Sequence, residues 1–171
     1  MLEGSAMTTI HTLLPEEGVF KNANFPQFKR INGTLPITSL MYDASTQQTA
    51  YWRFVARDYV SGNFTLTIYW YADTASSASV IWEAQLAAIT ANVDSQNVET
   101  KSLDTLNFVQ DTHLGTTGQR VHKTTLTLSN MNSLGDGDLC WLSVARDADG
   151  TNGTDDMSGD AAVLLIEVSY D

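Results

Sequence analysis

The chain has 171 residues, a hydrophobic fraction of 43% and a formal net charge of −11. This length fits one domain with a sizeable core, and the hydrophobic content excludes a disordered chain. The acidic charge argues against a nucleic acid or an anionic membrane as partner, because both attract basic surfaces. No apolar run approaches the ~20 residues of a membrane span, and no secretory signal is visible.

The N-terminal part of the chain divides into two short segments. Residues 1–7 look like a vector-derived tag or a disordered start and are not expected to belong to the fold. Residues 8–33 are irregular and predict an extended arm that docks through Phe20, Phe25 and Phe28. The remaining residues, 34–171, are predicted to form a single domain.

That domain contains eight stretches with strand character, separated by turn signals. The clearest is 64–71, in which Phe64, Leu66, Ile68 and Trp70 alternate with Thr and Tyr residues, and it predicts a central strand. The full set is 35–42, 49–57, 64–71, 80–89, 106–110, 119–129, 139–146 and 161–170.

The stretch 80–89 is the one ambiguous element of the domain. Its Ala, Glu, Gln and Leu content would suit a helix, whereas its unbroken alternation favours a strand. No alternation of strands with helices occurs along the chain. The sequence therefore predicts an all-β, antiparallel two-sheet jelly-roll sandwich of about eight strands.

Two of the predicted strands are apolar on both faces. Stretch 139–146 is one, and 161–170 is the other, with Ala162, Leu164 and Ile166 on one side and Val163 and Leu165 on the other. An antiparallel strand of a monomeric sandwich should have one polar face. The second apolar face predicts a homo-oligomer, and a trimer is common among jelly rolls.

The motifs of the chain include Asn-Gly-Thr-Leu-Pro at 32–36, Tyr-Trp-Arg-Phe-Val-Ala at 51–56, Gly-Asp-Leu-Cys-Trp-Leu at 137–142 and Ser-Gly-Asp-Ala at 158–161. Together they resemble a family of bacteriophage and environmental virus-like proteins. The resemblance implies a jelly-roll virion or tail-associated protein, with a fold-level analogy to trimeric tumour necrosis factor-like proteins. These motifs are structural, so the resemblance carries over no catalytic residue.

An acidic loop at 147–156 is the strongest candidate for a metal site. It offers the oxygen ligands that calcium prefers, and the candidate ligands are Asp147, Asp149, Asn152, Asp155 and Asp156. The loop departs from the EF-hand pattern in its glycine positions and lacks the final Glu. The alternative is a solvated loop that uses these residues to form turns.

Aromatic residues suggest a second kind of site. Tyr69 and Tyr71 share a strand face with Thr65 and Thr67, so they could bind a sugar or lie in a subunit interface. Carbohydrate stacking is also conceivable for the tryptophans, but core packing is favoured for those at 70 and 82.

Nothing in the sequence predicts catalysis. The three histidines, His11, His113 and His122, are scattered, and no Gly-x-Ser-x-Gly or phosphate-binding motif occurs. The single Cys140 lies in an apolar stretch and predicts a buried structural thiol.

We therefore expect a non-enzymatic structural or host-attachment protein of a phage or virus-like particle, and hence a virion location. Its expected partners are further copies of the chain, virion proteins or a host-surface glycan. The alternative is a carbohydrate-binding module with a surface aromatic site, and an enzyme acting on glycans is the least favoured class.

Overall fold

The computed structural model describes residues 8–93 and 95–170. This part of the chain forms ten strands and one short 3₁₀ turn, Pro15–Glu17. The strands are β1 (Thr9–Leu13), β2 (Gln27–Asn32), β3 (Pro36–Tyr42), β4 (Gln48–Val55), β5 (Phe64–Ala72), β6 (Ser79–Ile89), β7 (Asn107–Thr112), β8 (His122–Leu128), β9 (Leu139–Arg146) and β10 (Ala161–Tyr170).

The strands form two antiparallel sheets that pack into a sandwich. One sheet has six strands in the order β2-β3-β10-β5-β8, and β1 also pairs with β10. Strand β3 pairs with the first residues of β10, and β1 pairs with the last residues of β10. Strands β3 and β1 therefore lie one after the other along the same edge of β10. The second sheet has four strands in the order β4-β9-β6-β7. The predicted all-β sandwich is confirmed, with ten strands in place of about eight.

The two additional strands lie in the segment predicted to be an irregular arm. Strand β1 pairs with β10, and β2 pairs with β3 over six residues. Most side chains of β2 are exposed, as expected for an edge strand. Neither stretch has a clear alternation of apolar and polar residues, so pairing with a neighbouring strand, rather than intrinsic preference, makes them β-structure.

The core lies between the two sheets and is rich in aromatic residues. Phe64, Leu66, Ile68 and Trp70 of β5 are fully buried, and β5 lies between β10 and β8. The predicted central strand is therefore confirmed. The helical alternative for 80–89 is wrong, because β6 pairs with β9 on one side and β7 on the other. Within the described residues, no helix is long and apolar enough to cross a membrane.

A β-bulge in β10 explains why this strand has two apolar faces in the sequence. The register with β5 shifts between Val163 and Leu165. Before the shift Ala161 and Val163 face the core, and after it Ile166 and Val168 do. An extra residue at a bulge changes which positions point inward. Burial within the sandwich thus accounts for most of the apolar side chains of β10, and the trimer stays a prediction.

Candidate functional site

The outer face of the four-stranded sheet carries an open depression, which we call the outer groove. One part, the aromatic end, has a volume of about 160 Å³ and includes Lys21, Tyr51, Lys101 and Trp141 in its lining. The other part, the carboxylate end, has a volume of about 150 Å³. Its polar lining residues are Gln47, Thr49, Tyr51, Glu83, Gln85 and Ser143. Tyr51 lines both parts, so they adjoin.

The strand register brings the groove residues together from β4, β9 and β6. Tyr51 lies opposite Ser143, which in turn lies opposite Gln85. One row further along, Trp141 lies opposite Ala87. Directly opposed residues of antiparallel strands point to the same face, so all five line the same surface. The small side chains of Ser143 and Ala87 form a low floor beside the two rings.

Two irregular segments form the walls. On one side, Val19 and Tyr51 exchange two backbone hydrogen bonds, with N···O distances of 2.7 and 3.0 Å, which fixes the segment that carries Lys21. On the other side, the Asp104 N–H donates to the Leu86 carbonyl at 2.8 Å. The Gln85 amide donates to the Asp104 carbonyl, also at 2.8 Å. The groove is therefore held by backbone contacts at both margins.

The two aromatic side chains of the groove are half-buried, and each has a polar group that is available for hydrogen bonding. Among the described residues, neither the Tyr51 hydroxyl nor the Trp141 indole N–H has a hydrogen-bond partner, and both residues are partly exposed. Phe108, opposite Glu83 on β7, is a further ring on this face of the sheet, outside the groove lining, and is 52% exposed. Rings of this kind offer an apolar face and, for Tyr and Trp, a polar edge.

Glu83 defines the carboxylate end and is almost fully buried. Its two carboxylate oxygens accept hydrogen bonds from the side-chain amides of Asn152 and, at 2.8 Å, Gln47. Burial raises the pKa of Glu83, and the nearby Asp147 carboxylate raises this pKa further. The groove thus combines aromatic rings with amide and carboxylate groups in fixed positions. This combination can bind a sugar, which has both apolar C–H faces and hydroxyl groups.

The predicted calcium ligands are not brought together as a metal site. Among the described residues, no group of three or more His, Cys, Asp or Glu side chains is placed to hold a metal ion. The Asp147 carboxylate accepts hydrogen bonds from the backbone N–H groups of Thr151 and Asn152, and Asp149 accepts one from Thr151. These bonds shape the loop itself, which is the turn-forming alternative.

The remaining ligand candidates have separate partners. The Asp156 carboxylate accepts the Ser79 N–H at 2.6 Å. The Asp155 carboxylate forms a two-pronged ion pair with Arg146, with N···O distances of 2.9 and 2.7 Å, and both side chains are buried. Arg146 also donates to the carbonyls of Met157 and Gly159. This ion pair holds the loop against the end of the sandwich, where Asn152 contacts Glu83.

The two predicted ligand-binding tyrosines lie on the other sheet. Tyr71 is only 2% exposed, and its hydroxyl contacts that of Ser39 at 3.3 Å. This burial removes Tyr71 as a stacking surface. Tyr69 is partly exposed and donates to the Glu167 carboxylate at 3.2 Å, and its role in binding stays a prediction.

Among the tryptophans, the favoured core positions are confirmed, since Trp70 and Trp82 are fully buried, as is Trp52. Trp141 is the tryptophan that stays partly exposed. The sequence did not single it out, because only the register of three strands places it beside Tyr51. Its outward position in the predicted strand 139–146 is the signal that could have indicated it.

The scattered histidines and the cysteine end in different surroundings. His113 and His122 meet inside the sandwich with ring centroids 4.6 Å apart, a contact that their positions in the sequence do not predict. Cys140 is fully buried, as predicted, and burial raises the pKa of its thiol to about 12.

A second cavity of about 650 Å³ opens between β1 and β4, next to His11 and Arg53.

The fold is shared with carbohydrate-binding modules among solved structures. The CBM22-1 xylan-binding domain of Xyn10C from Paenibacillus barcinonensis is 11% identical, covers 98% of this chain and 99% of its own, and has a TM-score of 0.50. The CBM36-1 domain of a multidomain xylanase from the hindgut metagenome of Trinervitermes trinervoides is 10% identical, with coverages of 94% and 96% and a TM-score of 0.49.

A further carbohydrate-binding module, a CBM36 in complex with calcium and xylotriose, is 13% identical over 92% of this chain and 98% of its own, with a TM-score of 0.45. No family model matches the chain, and no curated protein sequence matches it significantly. The structural likenesses show the β-sandwich fold, and at these identities they show the fold alone.

These neighbours contradict the expectation of a phage or virus-like structural protein. The expectation relied on structural motifs, which many β-sandwiches share whatever their function. The neighbour with a TM-score of 0.50 is described as a xylan-binding domain and not as a phage protein. The resemblance to the phage family itself is untested and stays a prediction, and a virion location has no support.

Proposed function

We propose that this chain is a carbohydrate-binding module that holds a glycan chain in the outer groove. The observation that carries the proposal is the pair of partly exposed rings, Tyr51 and Trp141, with unpaired polar groups beside a fixed set of amides. A pyranose ring would stack its C–H face on these rings, and its hydroxyls would bond to Gln85, Gln47 and Glu83.

The neighbours support polysaccharide as the ligand class. The CBM22-1 domain that shares this fold is described as xylan-binding, and a CBM36 is described in complex with xylotriose. An open groove suits a polymer better than a closed pocket would. We therefore place a segment of polysaccharide along the face of β4, β9 and β6.

We propose that the groove binds a glycan without hydrolysing it. Hydrolysis of a glycosidic bond ordinarily uses two carboxyl groups on opposite sides of the bond. Among the described residues that line the outer groove, Glu83 is the one carboxylate, and two amides hold it in place. Such a carboxylate is suited to accepting hydrogen bonds from sugar hydroxyls.

Affinity electrophoresis tests this proposal with xylan, mixed-linked β-1,3-1,4-glucan and β-1,4-galactan embedded in native gels. We expect at least one of these polysaccharides to retard the wild-type protein. Trp141→Ala should weaken that binding by about tenfold or more, because an aromatic anchor of an interface is worth over ~1.4 kcal/mol. Unfolding curves of each variant verify that it is folded.

Tyr69→Ala is the matched control, since it removes an aromatic ring from the outer face of the other sheet. We expect it to bind like the wild type. Equal losses in Tyr69→Ala and Trp141→Ala would show that the groove is not the site. A wild-type protein that no polysaccharide or glycan array retains would overturn the proposal.

A further inference from the structure

The positive charge of this chain is unevenly placed. The sequence has only four lysines, at positions 21, 29, 101 and 123, in a chain of net charge −11. Two of them, Lys21 and Lys101, line the aromatic end of the outer groove, and they are its only charged lining residues among those described. Half of the lysines of an acidic protein thus lie at one end of its candidate binding site.

The two ammonium groups are held in place without a negative partner. The Lys21 nitrogen lies 5.4 Å from the centroid of the Tyr51 ring, in a cation–π contact. The Lys101 ammonium donates to the neutral Gln96 side chain at 3.1 Å. Among the described residues, the ion pairs are Lys29–Asp73 and Arg146–Asp155, so neither groove lysine belongs to one. Both charges are therefore available to an anion.

The groove has opposite charges at its two ends. Glu83 is the charged residue of the carboxylate end, and it is four residues from Ala87 on the same face of β6. At ~3.3 Å per residue, this spacing places the ends roughly 13 Å apart. Arg53, opposite Trp141, adds a third cation near the aromatic end. A ligand with a negative group would therefore place that group beside Trp141, away from Glu83.

We infer that the outer groove selects glycans that carry uronic acid, with the sugar carboxylate at Lys21 and Lys101 and the sugar ring on Tyr51 and Trp141. This inference rests on the proposed function and names the substrate class of the same site. Each lysine offers the sugar carboxylate a compact positive charge. The other negative charges of the protein repel an anionic glycan. At physiological ionic strength, this repulsion is largely screened beyond about 8 Å.

A matched pair of probes isolates the charge. Glucuronoxylan and polygalacturonate are each compared with the same polymer after chemical reduction of its carboxyl groups, by titration calorimetry. We expect the better-bound acidic polymer to bind roughly three- to tenfold more tightly than its reduced form, the size of two exposed ion pairs. This ratio should fall towards one as salt is raised.

The chain supplies a control with the same change of net charge. Lys21→Met with Lys101→Met should abolish the preference, so that the native and the reduced polymer bind with equal affinity. Lys29→Met with Lys123→Met, on the six-stranded sheet, should retain the preference. Equal affinity of the wild type for native and reduced polymers, or equal loss in both double variants, would overturn the inference while Trp141-dependent binding survives. Absence of all polysaccharide binding would instead overturn the proposed function, and the inference with it.

Discussion

The outer faces of the two sheets use tyrosines in opposite ways. On the six-stranded sheet, the hydroxyls of Tyr69 and Tyr71 have partners within the fold, and Tyr71 packs with Met41 and Ala162. On the four-stranded sheet, Tyr51 and Trp141 stay partly exposed, and their polar groups have no partner among the described residues. An aromatic ring therefore indicates a binding surface only when the fold leaves its face and its polar edge unused.

The largest expected effect comes from breaking the support of the carboxylate end. Asp155→Ala would leave the buried Arg146 without its ion-pair partner, and we expect a loss of about 3–5 kcal/mol in the free energy of unfolding. Urea denaturation measures this loss. Asp156→Ala removes only an acceptor for the Ser79 N–H and should cost about 1–3 kcal/mol. Similar losses of stability in the two variants would contradict the view that the ion pair between Arg146 and Asp155 holds the loop against the sandwich.

The next prediction compares the two faces through their tyrosine hydroxyls. Tyr71→Phe removes a buried hydrogen bond to Ser39 and should lower the free energy of unfolding by about 1 kcal/mol, with glycan affinity unchanged. Tyr51→Phe should change stability by under about 0.5 kcal/mol and weaken glycan binding. Thermal unfolding and affinity electrophoresis of the same samples measure both effects. If Tyr71→Phe weakened glycan binding and Tyr51→Phe lowered stability, the binding surface would lie on the six-stranded sheet.

The six-stranded sheet should also respond to acid through His122. Burial lowers the pKa of His122, and the neighbouring His113 and Arg120 lower it further, whereas Asp111 raises it. A histidine whose folded pKa lies below the unfolded value near 6.5 binds its proton more readily in the unfolded chain. Its contribution to stability is therefore complete above pH 6.5 and is lost as the pH falls from there towards the folded pKa.

The variant His122→Phe isolates this effect, since it keeps a ring stacked on Trp70 but cannot titrate. We expect the fall in melting temperature between pH 7.5 and pH 5 to be smaller in this variant than in the wild type. His11 has a pKa lowered in the same direction, and the comparison cancels it because both proteins retain His11. An identical pH profile for the two proteins would exclude His122 as a contributor.

The smallest expected effect is that of a chelator. The Asp147 oxygens accept backbone N–H groups of their own loop, and Asp155 is paired with Arg146, so we expect EDTA to leave the melting temperature unchanged. A fall reversed by added calcium would contradict this prediction and restore the loop as a cation site.

The sequence predicts long, regular strands well and edge strands poorly. Strands β5 and β6 follow from alternation sustained over many residues, which few other structures allow. Strands β1 and β2 are short and lie at the edge of a sheet, where neighbours rather than residue preference decide the structure. The bulge of β10 shifts the register by one residue, and hydrophobicity on both sides of the strand conceals this shift.

The candidate site was harder to predict than the fold. Tyr51, Glu83 and Trp141 come from three strands, and only the register of β4, β6 and β9 places them on one surface. The acidic loop was conspicuous in the sequence, yet its carboxylates shape the loop and hold Arg146. Asn152 is the one predicted ligand residue that reaches the groove, through its bond to Glu83.

The place of β10 has a consequence for the order of folding. Strand β10 pairs with β1, β3 and β5, so these three strands depend on a partner that is synthesised after them. The four-stranded sheet, whose strands all precede β10, can pair first. Contacts between residues so distant in sequence make folding slow. During synthesis, strands β1, β3 and β5 must therefore wait with unpaired edges, and this is when the nascent chain is most exposed to aggregation.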